Sequence, residues 1–400
     1  MVQDYIENET TTLVTVRQVN SLRLPSIIIC PRNADAIHLD ELIDNVRSVV
    51  PLIDNITVRN VIRFAISGLG FSAFDEATRI WTNSTIESLS AYYETWKNNR
   101  SDDEMFKLIL EDYGYTCKET FLECFQGGVH LNCCDIFEFT YVALRGRCLR
   151  LRELYQTDNE ETAKLSITLG SVPSPLSELS YYQQQMVAYV GDRHKDVWVT
   201  PRYYLNAYDW TRMRFRIRQK EMLTNKLDCR VPDEDEGSGT CSLVRWLRET
   251  VEKPFNCTFV YTKVYNHSLP TCKPRTIIEN YRSVLLTPTS NFRCLPTCIH
   301  NETSLQIYSS PSIYGTNDKR VFMIEASYPE MQIEEYREIV RTTMPGFVSQ
   351  IGGQVGLFLG ASIITFVQFF VTFSMYMYRR LRLLYRYIQN KWFYRSRSNN

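Results

Sequence analysis

No Asp or Glu follows Glu338, and no charge of either sign stands between Arg341 and Arg379. Metal-ligand spacing is missing as well. There is no Cys-x-x-Cys, and the 5 histidines are scattered, so the cysteines do not read as a zinc site. The chain lacks Gly-x-Ser-x-Gly, His-Glu-x-x-His and a phosphate loop, the short patterns that announce a nucleophile elbow, a metalloprotease helix or a nucleotide cradle. Gly68-Leu-Gly70-Phe-Ser-Ala73 matches a dinucleotide fingerprint only loosely, without the βαβ setting that gives one meaning. With 45 Lys and Arg against 45 Asp and Glu, the basic excess that phosphate binding needs is absent, which excludes a nucleic-acid partner. No enzyme, metal or cofactor is expected.

What is present is a chain of 400 residues, 44% hydrophobic, rich in Tyr (25) and Phe (20), with frequent polar breaks that suit short strands. The charge-free stretch contains Ile351–Tyr378, longer than the roughly 20 apolar residues a membrane-spanning helix needs. Arg379, Arg380, Arg382, Arg386, Lys391, Arg395 and Arg397 follow it, and a basic flank marks the cytoplasmic side. Residues 1–345 are therefore expected outside the cell, 346–378 as a transmembrane pore helix within membrane lipid, and 379–400 as a short cytoplasmic tail. Two signals agree. Sequons at Asn8, Asn55, Asn83, Asn99, Asn256, Asn266 and Asn301 all precede the apolar stretch. All 12 cysteines lie between Cys30 and Cys298, as disulfides in an oxidising compartment would. The opening VQDYIENETTTL has no apolar leader, so an upstream membrane segment is expected to be missing from this sequence.

The expected fold class is α+β: a disulfide-rich, β-centred extracellular domain with peripheral helices, followed by a C-terminal transmembrane helix. SLRLPSIIICP (21–31) reads as a buried strand, and 37–70 as helical with a break at Pro51. Residues 81–112 read as two exposed helices, 164–225 as strands and turns, the segment from Cys241 as a helix, and 320–327 as a strand.

Within the apolar stretch, Gly352, Gly356 and Gly360 repeat every four residues, one face of a helix, and glycine there lets backbones approach closely. By spacing alone this fits the packing of a single-pass anchor equally well. Ser349, Gln350, Gln354, Ser362, Thr365 and Gln368 add polarity that is costly in lipid and suits a water-lined axis. Local unwinding at Gly360-Ala361-Ser362 would present carbonyls and a hydroxyl to a cation.

GGQVGLFLGASIIT closely resembles the second transmembrane segment of the degenerin, epithelial sodium channel and acid-sensing ion channel family. LPSIIICPRN, CKETFLEC and RCLPTC resemble further motifs of that family, so the likeness covers most of the chain. The resemblance implies a subunit of a homo- or hetero-trimeric, amiloride-sensitive sodium channel of the plasma membrane, gated by an extracellular stimulus. It implies that Gly360, Ala361 and Ser362 form the constriction, that Ser349 sits at the gate, and that Gly352, Gly353, Gly356 and Gln368 line the pore. It also implies disulfides Cys30–Cys148, Cys124–Cys133, Cys229–Cys298, Cys241–Cys294 and Cys257–Cys272, leaving Cys117 and Cys134 to bridge each other. Gln368 stands where the family usually carries an acid, and the family's first transmembrane helix and His-Gly motif are not in this sequence. The alternatives are a single-pass receptor or adhesion ectodomain and a non-conducting truncated subunit.

Overall fold

The computed structural model describes residues 10–71, 80–177, 180–191, 201–223, 229–230, 238–263, 268–312, 321–341, 343–360 and 362–397. The chain divides into two compact units, Leu13–Arg337 and Met1–Thr12 with Glu338–Asn400. The expected α+β mixture, rich in strands and disulfides, is present.

The strands run in chain order as β1 (Thr10–Gln18), β2 (Leu22–Arg23), β3 (Ser26–Pro31), β4 (Phe121–Gln126), β5 (Val129–Leu131), β6 (Phe137–Val142), β7 (Gly146–Leu151), β8 (Tyr155–Gln156), β9 (Leu165–Gly170), β10 (Gln185–Gly191), β11 (Arg202–Asn206), β12 (Asp209–Glu221), β13 (Ile299–Pro311), β14 (Val321–Ser327) and β15 (Gln332–Val340). One sheet has the order β1-β15-β12-β14-β9-β4-β5, with β13 added along β12. A second has the order β11-β10-β3-β7-β6, and β2 pairs with β8 in a small third. β12 carries β14 beside Trp210–Arg214 and β15 beside Ile217–Glu221, both parallel.

β3 explains why the run Ile27–Cys30 is apolar at every position. Successive side chains of a strand point to opposite faces. Ile27 and Ile29 enter a core shared with Leu165, Ile167, Leu169, Met213, Phe215, Phe322 and Ile324 of the large sheet. Ile28 and Cys30 enter a smaller cluster with Val187, Tyr189 and Cys148 on the other face. A strand covered on both sides needs an unbroken apolar run. The single strand expected over 21–31 is divided at Leu24-Pro25, and β2 pairs separately with β8.

The helices α1 (Leu39–Val49), α2 (Asn55–Gly68), α3 (Asn83–Lys97), α4 (Asp102–Lys107), α5 (Ser238–Leu247), α6 (Pro274–Glu279) and α7 (Tyr281–Leu285) share a separate core. Polar caps start several of them. Asp54 accepts from the amides of Ile56 and Thr57, and Ser101 with Glu104 forms a capping box. The helices over 81–112 are not exposed all round. Ile86, Leu89, Tyr93 and Trp96 recur at helical spacing and are buried, and the Trp96 indole N–H donates to Asn45 Oδ1 at 2.9 Å. Gly68 is a close-approach glycine: a Cβ there would lie 2.2 Å from the Cβ of Pro274, at the start of α6.

All 12 cysteines pair. The disulfides are Cys30–Cys148, Cys124–Cys133, Cys229–Cys298, Cys241–Cys294, Cys257–Cys272 and Cys117–Cys134. Cys30–Cys148 joins β3 to its neighbour β7 inside the core.

Just beyond β3 the fold buries a carboxylate. Asp35 has no exposed surface, and it accepts from Ser174 Oγ at 2.8 Å, Leu176 N at 2.9 Å and Gln183 Nε2 at 3.2 Å. Burial pushes its pKa up, and the hydrogen bonds from Ser174, Leu176 and Gln183 only partly oppose this. The folded chain thus holds this proton more tightly than the unfolded chain. The associated stability is complete below the ordinary carboxylate pKa and is lost as pH rises through the folded value. Asp35→Asn cannot ionise and keeps the shape. Unfolding free energy, followed by denaturant between about pH 4 and pH 8, should therefore fall less with rising pH in the variant than in the native chain. Superimposable profiles would mean that Asp35 does not titrate there.

Candidate pore segment

The unit containing Glu338–Asn400 has two long helices, α8 (Met344–Leu359) and α9 (Ile363–Arg397). α8 begins where Thr343 accepts from the Gly346 amide, with Pro345 in the first turn. Proline costs nothing there because the first-turn N–H groups have no helical acceptor. In the same unit, Thr10 Oγ1 of β1 donates to Glu338 Oε1 of β15 at 2.9 Å.

The helix expected over 346–378 is broken in two. Gly360 ends α8 with φ 61° and ψ 14°, a left-handed conformation that glycine adopts without penalty. A Cβ at Gly360 would meet nothing within 4 Å, so the dihedral, not crowding, demands glycine there. Ala361 lies outside the described residues. Ser362 then opens α9. Its Oγ accepts from Thr365 N at 3.3 Å, while its own amide donates to Thr365 Oγ1 at 3.3 Å. This reciprocal arrangement is a capping box with threonine in the usual Glu position. Sequence reasoning marked Gly360 and Ser362 but missed Thr365 as the cap's second half. The Ser-x-x-Thr spacing was the available signal.

The break sets two helix ends at one point of the chain. The last four carbonyls of α8 have no intrahelical donor and carry the negative end of its dipole. Carbonyl and hydroxyl oxygens are the kind of group that can replace a cation's hydration shell.

Ser349, Gly352, Gly353 and Gly356 lie on α8 at i, i+3, i+4 and i+7, one helix face. Gly360 has left the helix and is no longer part of that face, because a left-handed residue cannot continue it. Gln368 lies on α9, so it does not share a helix with the glycine stripe. Among the described residues, Cβ atoms at Gly352 and Gly353 would touch nothing within 4 Å, so no contact there requires glycine at either. Nor does α9 end at Tyr378. It continues through the basic residues to Arg397.

Large apolar side chains cover both helices. Leu357 and Phe358 are each 80% exposed, Ile364 68% and Phe370 63%. Monomeric soluble proteins rarely expose apolar patches of this extent. No helix among the described residues is by itself long and apolar enough to cross a membrane.

Among the sequons, Asn55, Asn83, Asn99 and Asn256 are exposed, and Asn301 is partly buried in β13. Asn8 and Asn266 lie outside the described residues. No group of three or more potential metal ligands is found among the described residues.

The family model described as amiloride-sensitive sodium channel matches residues 1–372. No curated protein matches the chain. Of 41 matching chains of solved structure, one belongs to a cryo-EM structure of a proton-activated chloride channel. It shares 9% identity and a TM-score of 0.33, over 94% of this chain and 90% of that one. That likeness is too slight to bear on fold or ion.

Proposed function

Because the chain belongs to the amiloride-sensitive sodium channel family, a family of membrane ion channels and not of enzymes, we propose that it is a subunit of a trimeric, sodium-selective channel of the plasma membrane, opened by an extracellular stimulus. One observation carries the reading: a helix break at Gly360, followed by the serine cap at Ser362, set within a stretch without charge.

The lengths support this. α8 has 16 residues, about 24 Å at 1.5 Å per residue. Ile363–Tyr378, the uncharged start of α9, is about as long. Neither alone matches a hydrocarbon core of about 30 Å, so the span requires both with the break inside it. Broken backbone at membrane depth is tolerated only against water or protein. The basic run after Tyr378 sets that end in the cytoplasm. The disulfide-bonded unit and the sequons of the chain then lie outside, where Asn8, Asn55, Asn83, Asn99, Asn256, Asn266 and Asn301 are available for glycosylation.

The glycine stripe supports an assembly. Glycine costs a helix about 1 kcal/mol relative to alanine, and no contact among the described residues requires it at Gly352 or Gly353. Close approach by the same stripe of related copies is the reason we assign. Gly360, Ala361 and Ser362 then form the constriction, with Ser349 at the gate and Gln368 on the second helix of the pore. Since Gln368 is neutral and no carboxylate follows it, the attraction for sodium comes from the carbonyls.

Co-expression with complete related subunits should give a sodium current that amiloride blocks. Ser349→Phe, with a bulky ring on the glycine face, should hold the channel open and produce about a tenfold or greater rise in unstimulated current, the scale of a 1.4 kcal/mol bias between closed and open states. A leak equal to that of the native chain would count against the gate assignment, and no current from any combination would remove the channel reading.

A further inference from the structure

A cavity of about 290 Å³ opens in the large unit, between the segment Ser21–Ser26 and strands β12, β13 and β15. Its walls are fixed. The side chain of Gln156, fully buried, donates to Tyr328 O at 2.8 Å and accepts from Tyr328 N at 2.8 Å, standing in for a strand neighbour. The Tyr328 hydroxyl donates to Arg23 O at 2.9 Å, and Leu24 N donates to Leu154 O at 2.8 Å. Ile217 and Ile333 add apolar wall, and Thr303 adds a hydroxyl. The charged groups of the lining are Arg23 and Glu153, which face each other at 3.1 Å, with side chains 36% and 53% exposed. Glu153 also accepts from the Tyr155 hydroxyl at 2.6 Å.

We propose that this cavity binds a small zwitterion with an apolar body, of amino-acid size. A ligand of a single charge would find its counter-ion already paired with the opposite charge. A molecule carrying both charges replaces the pair, its carboxylate on Arg23 and its ammonium on Glu153. Parting the pair costs little, because half-exposed ion pairs are worth about 0–1 kcal/mol. Preformed walls spare the ligand the ordering cost that weakens binding to soft sites. Occupancy would tie Ser21–Ser26 to β15, whose chain leads into α8. Under the channel reading, and resting on it, the ligand is then a stimulus.

Thermal unfolding of the full chain in detergent tests the site without reference to current. The probes are L-leucine, 3-methylbutylamine, which lacks the carboxylate, and 4-methylpentanoate, which lacks the ammonium. Leucine should raise the melting temperature in a saturable way, and the other two should not. Arg23→Met and Glu153→Gln should each weaken leucine binding about tenfold or more, with little change in the unliganded melting temperature. Because Asn301 also lines the cavity, where a sugar would compete, the series is repeated in Asn301→Gln. No leucine shift in either background, equal shifts with a single-charge probe, or undiminished binding in both rim variants would overturn the site. Binding without any sodium current would leave the site standing and remove the channel reading.

Discussion

Gly360→Val should reduce sodium current about tenfold or more, since a β-branched residue held left-handed costs at least the 1–2 kcal/mol penalty of that conformation. The space around Gly360 is open, so the effect arises through the backbone. Valine there either strains the break or lets α8 run on into α9, and in both cases the orphan carbonyls change direction. Ser362→Ala should act in the same sense but more weakly. It removes a cap worth about 1 kcal/mol, whereas Ser362→Thr keeps the hydroxyl and the current. Whole-cell current and its reversal potential, normalised to surface protein, read these changes. A receptor or adhesion module with a glycine-rich anchor would be indifferent to all three. Native current and native selectivity in both Gly360→Val and Ser362→Ala would leave the break without a role in conduction.

Removing the Cys30–Cys148 bridge should cost more stability than removing any bridge of short span. It closes a loop of sequence separation 118, and Cys124–Cys133 one of 9. Chain entropy then assigns about 5 kcal/mol to the first and about 2.6 kcal/mol to the second. Both cysteines of the longer bridge are also buried, at 0% and 1% exposure, in the small apolar cluster with Ile28, Val187 and Tyr189. A serine pair there would leave two hydroxyls in an apolar cluster. The double variant Cys30→Ser, Cys148→Ser should unfold at a markedly lower denaturant concentration, and should reach the cell surface poorly. Cys124→Ser, Cys133→Ser should lose about half as much. The reverse order would show that native-state strain, and not the loop, governs these bridges.

Much of this fold is legible where a local pattern coincides with burial. IIIC reads as a covered strand because every position is apolar, and the stripe Ile86, Leu89, Tyr93, Trp96 reads as a helix face. Reading the same helices as exposed overlooked what such a stripe implies, a core for it to meet. Contacts distant in sequence leave no local trace. Gln156 and Tyr328 are 172 residues apart, and nothing in ADAIH announces that Asp35 is sealed from water. The cysteine pairs came from family resemblance, since 12 cysteines alone permit far too many pairings. At the pore segment, a glycine every four residues fits a continuous face as well as a break. Only the dihedral angle at Gly360 separates the two.

α9 runs 35 residues from Ile363 to Arg397 without a glycine or proline. Sharp bends in helices need such residues, a bulge or an intruding group. The rod therefore has no elbow between its first turn and its last, and twisting it near Arg395 turns Ser362 as well. Inserting one residue beyond Tyr378 would rotate everything downstream by about 100° while leaving the cap at Ser362 intact. Whatever grips the far end thus acts on the break as a hand on a crankshaft.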